Sequence, residues 1–168
     1  MRFARVYVAQ LGSMRLRDAY WYVGTTECLP AQRHEAHKVN MKGQGAAWCK
    51  KHGYLGMRIC VRVEPNHANT LENDLTKYLM ATFGWQRVRG GDHMVTNPDP
   101  NDLWWLPLQW RNSKIGDKSY RNILKLRTGS VSKFSAELRG LVDSFLASSG
   151  PKHPHELDTD SFPEPFFG

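Results

Sequence analysis

The chain has 168 residues, a formal net charge of +7 and a pI near 9.5, which suits one domain with an appendage and favours acidic partners such as nucleic acid. Many small proteins are basic for no specific reason, so charge alone does not separate these two interpretations. The three cysteines form no CxxC pair, and the N-terminus has no signal-peptide pattern, which argues against a secreted protein. No run approaches the roughly 18 apolar residues of a membrane span, which argues against a membrane protein.

The first two predicted elements are strands that each carry a tyrosine. Over residues 4–11 the side chains alternate between two faces, which places Tyr7 on the face opposite Val6. Residues 19–24 predict a second, aromatic-rich strand in which Tyr22 shares a face with the residues two positions before and after it. The two tyrosines are therefore expected on neighbouring strands.

Helices and one more strand follow. Pro30 fits the first turn of a helix that runs to about residue 40, and a short helix ends at Gly53. Residues 57–63 alternate, so the sequence predicts a third strand whose odd-numbered residues share one face. Residues 71–83 carry apolar side chains at helical spacing and end at a glycine suited to a C-cap. The predicted fold class is α/β, a small three-stranded sheet flanked by helices with a C-terminal helical extension.

The chain divides into three predicted parts. Residues 1–95 form the α/β domain. Residues 96–147 form a Trp-rich and basic extension in which residues 132–147 have the spacing of an amphipathic helix. Residues 148–168 are acidic and rich in Pro and Phe, so we expect a flexible tail.

Several short motifs in the first part occur in a particular order. They are Arg5-Val6-Tyr7, Tyr22-Val23-Gly24-Thr25-Thr26, Arg33-His34-Glu35-Ala36-His37, Gly45-Ala46-Ala47-Trp48, Glu72-Asn73-Asp74-Leu75-Thr76-Lys77-Tyr78-Leu79-Met80, Phe83-Gly84-Trp85 and Val88-Arg89-Gly90-Gly91. Together, over roughly residues 4 to 92, they resemble the GIY-YIG nuclease family in order and spacing. Two positions depart from the family pattern. Arg5 replaces the glycine of the first triplet, and Arg87 stands where many relatives have an asparagine, a role that Asn97 is a candidate to fill.

The resemblance implies an endonuclease that hydrolyses phosphodiester bonds in DNA with Mg²⁺, for which Mn²⁺ can substitute. Single-stranded and double-stranded DNA stay open as substrates. The alternative is a nucleic-acid-binding module of the same fold with little or no catalysis. The expected location is the cytoplasm, or the host cytoplasm or nucleoid if a phage or mobile element encodes the protein.

Glu72 is the candidate metal ligand. A carboxylate suits Mg²⁺, which retains most of its waters and can bind through one protein group and the substrate phosphate. The sequence pattern alone favours another role, because Asn69 followed by Glu72 fits a capping box at a helix start. The resemblance favours the metal.

Four further residues complete the implied catalytic set. Arg33 and His37 lie four apart and project from one helix face, where a guanidinium can grip a phosphate oxygen and an imidazole can take part in proton transfer. Without the resemblance, such a pair is more often a solvated face. The resemblance assigns Tyr7 to activating the water and Tyr22 to positioning it, provided that nearby charge lowers the phenol pKa. Gly24 is expected to allow a close turn beside the site.

Substrate contacts are predicted from basic residues outside this set. Lys42, Lys50 and Lys51 lie near it in sequence, and the basic run 111–127 could track a phosphate backbone. The candidates in that run are Arg121, Lys125 and Arg127. A solvated basic face is the alternative in both places. The acidic, Phe-rich tail resembles a docking segment for a protein partner, and a disordered tail without a partner is the alternative.

Overall fold

The structure is a computed structural model that describes residues 3–39, 46–91, 136–152, 156–157 and 160–161. Five strands form one mixed sheet in the order β4-β2-β1-β3-β5. The strands are β1 (Ala4–Leu11), β2 (Tyr20–Thr26), β3 (Tyr54–Val63), β4 (Val88–Gly90) and β5 (Asp160–Ser161).

The sheet has an antiparallel centre and two short parallel edges. β1 pairs antiparallel with both β2 and β3, whereas β4 pairs parallel with β2 and β5 parallel with β3. The α/β class is confirmed, but the predicted number of three strands is wrong. The three predicted strands are the centre, and the edge strands of three and two residues are too short to show an alternating pattern.

Four α-helices accompany the sheet in the described residues: α1 (Pro30–Lys38), α2 (Ala46–His52), α3 (Pro65–Phe83) and α4 (Ala136–Ala147). Both α1 and α3 have a proline in the first turn, where the missing N–H is no loss. α3 ends at the predicted C-cap, Gly84, whose φ of 92° favours glycine. It begins at Pro65 rather than near residue 71, because its first turns are polar and lie outside the apolar periodicity.

The two faces of the sheet contribute to different cores. On one face, residues of the central strands pack with apolar residues of α3 and α4, including Leu75 and Phe145. The opposite face, which we call the tyrosine face, carries Tyr7 and Tyr22 and packs against residues of α2, including Trp48. The predicted alternation of β1 and β2 is therefore confirmed. The extension helix α4 is part of the first core, and its described residues begin at 136.

A bulge in β3 changes one predicted face. Val8 pairs with Ile59, but its neighbour Ala9 pairs with Met57, so Arg58 is an extra residue in the strand. Met57 consequently joins the tyrosine-face core rather than the core that contains Ile59, contrary to the predicted alternation.

Arg58 is almost fully buried and ties α4 to the sheet. Its Nε donates to the side-chain oxygen of Gln10 at 2.7 Å, and its guanidinium also donates to the carbonyl oxygens of Phe145 at 3.1 Å and Ser148 at 2.8 Å. A cation at the C-terminal end of a helix satisfies carbonyl groups that lack intrahelical partners. This side chain therefore anchors the end of α4.

Two described parts of the acidic tail are ordered against the domain. Leu157 is buried in the tyrosine-face core, and β5 pairs with Val61 and Arg62 of β3. The flexibility of the tail stays a prediction. Among the described helices, none has the length and apolar character needed to cross a membrane.

Candidate active site

Tyr7 lies at the centre of a hydrogen-bonded cluster on the tyrosine face. Its hydroxyl oxygen is 2.8 Å from Nε2 of His37, and Nε of Arg33 donates to the same oxygen at 3.0 Å. Tyr7 has no exposed surface, and His37 is 5% exposed. The predicted helix-face pair therefore projects inward onto β1, and the alternative of a solvated face is wrong for His37.

Tyr22 stands beside this pair on β2. Its ring centroid lies 6.0 Å from that of Tyr7 and 5.9 Å from that of His37, both in edge-on arrangements. Burial and the negative charge of Glu72 raise the pKa of Tyr22 to about 12. Burial and Tyr22 also raise the pKa of Tyr7, against the opposing positive charge of Arg33. Both phenols therefore carry their protons at neutral pH.

His37 has the opposite character. Burial, together with the positive charge of Arg33 and the neighbouring His34, lowers the pKa of His37 to about 4. A histidine that is neutral at pH 7 has one ring nitrogen with a lone pair available as a proton acceptor. The cluster thus places a neutral base against a protonated phenol.

Gly24 explains how the Tyr7 phenol fits at the sheet surface. Gly24 and Tyr7 pair directly across β1 and β2. A Cβ atom at Gly24 would lie 2.5 Å from both Cζ and the hydroxyl oxygen of Tyr7. The glycine is therefore needed for close approach within a strand, and the expected turn at this position is wrong.

Glu72 lies in the middle of α3, which begins at Pro65. The capping-box interpretation with Asn69 is therefore wrong, because neither residue is at the helix start. The hydroxyl of Thr25, on β2, donates to Oε2 of Glu72, and the carboxylate is close enough to raise the pKa of Tyr22. The carboxylate therefore contacts β2 at Thr25 and acts on Tyr22 electrostatically.

Glu72 is the candidate ligand for a hydrated magnesium ion. Within the described ranges, no group of three or more His, Cys, Asp or Glu side chains is placed to hold a metal. A closed protein cage of that kind is what a structural zinc needs. Mg²⁺ instead binds through one or two carboxylates with water and substrate phosphate as its other ligands. Glu72 is half-buried, its Oε2 accepts from Thr25, and it would supply one carboxylate of this kind.

The predicted substrate-contact residues are divided between described and undescribed parts. Lys50 and Lys51 are exposed on α2, and Lys51 Nζ lies 5.9 Å from the Trp48 ring centroid. Trp48 Nε1 donates to the carbonyl oxygen of Trp21 at 3.0 Å, which fixes α2 on β2. The other candidates lie outside the described residues, as does Asn97: Lys42, Arg121, Lys125 and Arg127.

Two residues of the site were not predicted from the sequence. Thr25 contacts Glu72, and its position directly after the Tyr22-Val23-Gly24 motif was the available signal. Tyr54, at the start of β3, stacks on His37 with ring centroids 4.9 Å apart and an interplanar angle of 22°. No local pattern marks Tyr54, because its contact is with a helix that precedes it by many residues.

No protein-family model, curated protein or solved structure matches this chain.

Proposed function

We propose that this protein is a metal-dependent endonuclease of the GIY-YIG type that hydrolyses phosphodiester bonds in DNA. The observation that carries the proposal is the contact of one buried phenol, Tyr7, with both Arg33 and His37. These residues come from β1 and α1, and Tyr22 from β2 lies beside them. Glu72 from α3 acts electrostatically on Tyr22.

Proton transfer in this proposal runs from water through Tyr7 to His37. Because Arg33 donates to the Tyr7 oxygen, the phenol proton is directed toward Nε2 of neutral His37. In the proposed reaction the attacking water reaches the Tyr7 oxygen, which is buried in this structure, and gives it a proton as the phenol proton passes to the imidazole. This relay differs from a resting tyrosinate, which the raised pKa of Tyr7 disfavours.

Arg33 and Tyr22 act on the phosphate and the water. A guanidinium has five N–H donors in a planar fork, and Nε of Arg33 is used for Tyr7. The terminal nitrogens of Arg33 are proposed to contact a nonbridging phosphate oxygen, where they stabilise the added negative charge of the transition state. Tyr22, protonated at neutral pH, is proposed to orient the water as a hydrogen-bond donor.

Glu72 is proposed to hold Mg²⁺ or Mn²⁺, which would neutralise phosphate charge and stabilise the leaving oxygen. Thr25 orients the Glu72 carboxylate through its hydroxyl. DNA binding is proposed to use Lys50 and Lys51 on the exposed side of α2.

Cleavage of a supercoiled plasmid and of a single-stranded oligonucleotide tests this proposal. Each substrate is incubated with Mg²⁺ or with EDTA, using the wild type, Tyr7→Phe and a control, Tyr20→Phe. Tyr20 shares the tyrosine face but stacks on His52 instead of contacting His37. Cutting should require Mg²⁺ and fall by about 10²–10⁴-fold in Tyr7→Phe, with the control unchanged. Tight DNA binding without cutting would favour the binding-module alternative.

A further inference from the structure

We infer that Tyr54 is a positioning residue that fixes the orientation of the His37 imidazole, an inference that rests on the proposed nuclease function. Tyr54 begins β3, and its ring covers His37 in a nearly parallel stack. Its hydroxyl is hydrogen-bonded to Nδ1 of His34 at 2.7 Å. One phenol therefore contacts two histidines of the same helix.

The need for such a residue follows from the freedom of a histidine side chain. The terminal torsion of histidine is broad and roughly two-fold, so the rotamer alone does not fix which ring edge faces a partner. A half-turn of the His37 ring would move Nε2 away from the Tyr7 hydroxyl, to which it lies at 2.8 Å. Packing must therefore select the orientation.

Among the residues that the structure describes, three aromatic tyrosine rings lie against the His37 imidazole. Tyr7 and Tyr22 contact it edge-on, at interplanar angles of 64° and 68°, whereas Tyr54 lies against its face at 22°. The first two belong to the proposed reaction, so Tyr54 is the contact that holds the imidazole plane without taking part in chemistry. A flat ring is required for that contact.

The bond to His34 is a second contact between Tyr54 and α1. His34 and His37 are three residues apart on α1, so they share one side of the helix. Since Tyr54 contacts both, it links the strand β3 to α1 at the level of the site. Burial raises the pKa of Tyr54, which keeps the hydroxyl protonated for this bond.

The test compares Tyr54→Leu, which removes the flat ring, with Tyr54→Phe, which removes only the hydroxyl. Tyr20→Leu is the matched control, because Tyr20 also stacks on a histidine, His52, with centroids 3.8 Å apart. Tyr54→Leu should lower kcat on the order of tenfold to a hundredfold with KM within about twofold. Tyr54→Phe and Tyr20→Leu should keep most of kcat.

A double-variant cycle separates positioning from general loss of structure. In a His37→Gln background, Tyr54→Leu should cause no further fall in kcat, because the ring that it orients is already gone. If the two losses multiply, or if Tyr54→Phe loses as much as Tyr54→Leu, the inference is overturned. Should Tyr54→Leu fail to fold, Tyr54→Met is compared in the same way.

Nitrogen and proton NMR signals of the His37 imidazole give a readout that needs no cleavage. The wild type and Tyr54→Phe should show one neutral tautomer with Nε2 as acceptor, and Tyr54→Leu should show averaged signals from a rotating ring. Unchanged signals in Tyr54→Leu would refute the inference. A wild type that does not cut DNA would refute the proposed function instead, and these signals would still decide the role of Tyr54.

Discussion

Gly24→Ala introduces one methyl group directly against the Tyr7 phenol. That carbon would lie 2.5 Å from Cζ and the hydroxyl oxygen of Tyr7 and 2.8 Å from Cε2 of Tyr22. Nonbonded carbon atoms are in favourable contact at about 3.5–4.0 Å, so the Tyr7 ring must move by about 1 Å from its 2.5 Å approach. The backbone of Gly24 lies outside the left-handed region, so the change acts through space rather than through backbone strain.

A shift of that size breaks the geometry of the cluster. The Tyr7 hydroxyl lies 2.8 Å from His37 Nε2 and 3.0 Å from Arg33 Nε. A displacement of about 1 Å takes such contacts beyond hydrogen-bond range. We expect the single-turnover cleavage rate to fall on the order of a hundredfold, while overpacking lowers the free energy of unfolding by about 1–3 kcal/mol.

Single-turnover cleavage and urea unfolding measure the two effects on the same preparation. Gly140→Ala is the control, because nothing lies within 4 Å of a Cβ at that helical position and alanine should stabilise α4 by about 0.5–1 kcal/mol. In a Tyr7→Phe background, Gly24→Ala should lower the rate much less than in the wild type, through its remaining contact with Tyr22. Wild-type cleavage by folded Gly24→Ala, or a full additional loss in that background, would refute the argument.

Three further predictions concern pH, substrate binding and the anchor of α4. Folding lowers the pKa of His37 from near 6.5 to about 4, so the unfolded chain takes up this proton at a higher pH than the folded protein does. This group therefore lowers the free energy of unfolding as the pH drops from about 6.5 toward 4. Urea midpoints of His37→Gln should lack this part of the pH dependence. Arg33→Ala should leave DNA affinity nearly unchanged and remove turnover. Neutralising three residues outside the described ranges, Arg121, Lys125 and Arg127, should weaken DNA binding. The log–log slope of affinity against salt concentration should then fall by about 0.9 per lost duplex phosphate contact. Arg58→Met should reduce the free energy of unfolding by on the order of 1–3 kcal/mol, because the carbonyl groups of Phe145 and Ser148 lose this donor. Cleavage should change little. The first prediction is contradicted if His37→Gln keeps the wild-type pH dependence of stability. The second is contradicted if the triple variant keeps the wild-type salt slope, and the third if Arg58→Met keeps the wild-type free energy of unfolding.

The strands β1 and β2 could be predicted because their side chains alternate without interruption between the two cores. Tyr7 and Val6 occupy opposite faces as their spacing requires. The bulge at Arg58 could not be predicted, because it depends on how β3 pairs with β1 and leaves no mark in local sequence. The edge strands β4 and β5 depend in the same way on pairing with distant residues.

The sequence indicated part of the membership of the candidate site but not its contacts. Motif order indicated Tyr7, Arg33 and His37, and the structure brings these three into direct contact. The protonation states were not predictable, because they follow from burial: a free tyrosine and a free histidine give no sign that folding will raise one pKa and lower the other. For the same reason Tyr54 was missed, since only the packed helix places it on His37.

The Mg²⁺ dependence of DNA cleavage by Glu72→Gln tests whether this protein is a metal-dependent nuclease. The amide keeps the shape of the side chain and can still accept from Thr25, but it weakens the cation site. Glu137→Gln, an exposed change on α4, is the matched control. We expect Glu72→Gln to fold, to bind DNA and to lose cleavage by orders of magnitude at every Mg²⁺ concentration that saturates the wild type, while the control stays fully active. Undiminished cutting by Glu72→Gln with the wild-type Mg²⁺ dependence would contradict this expectation.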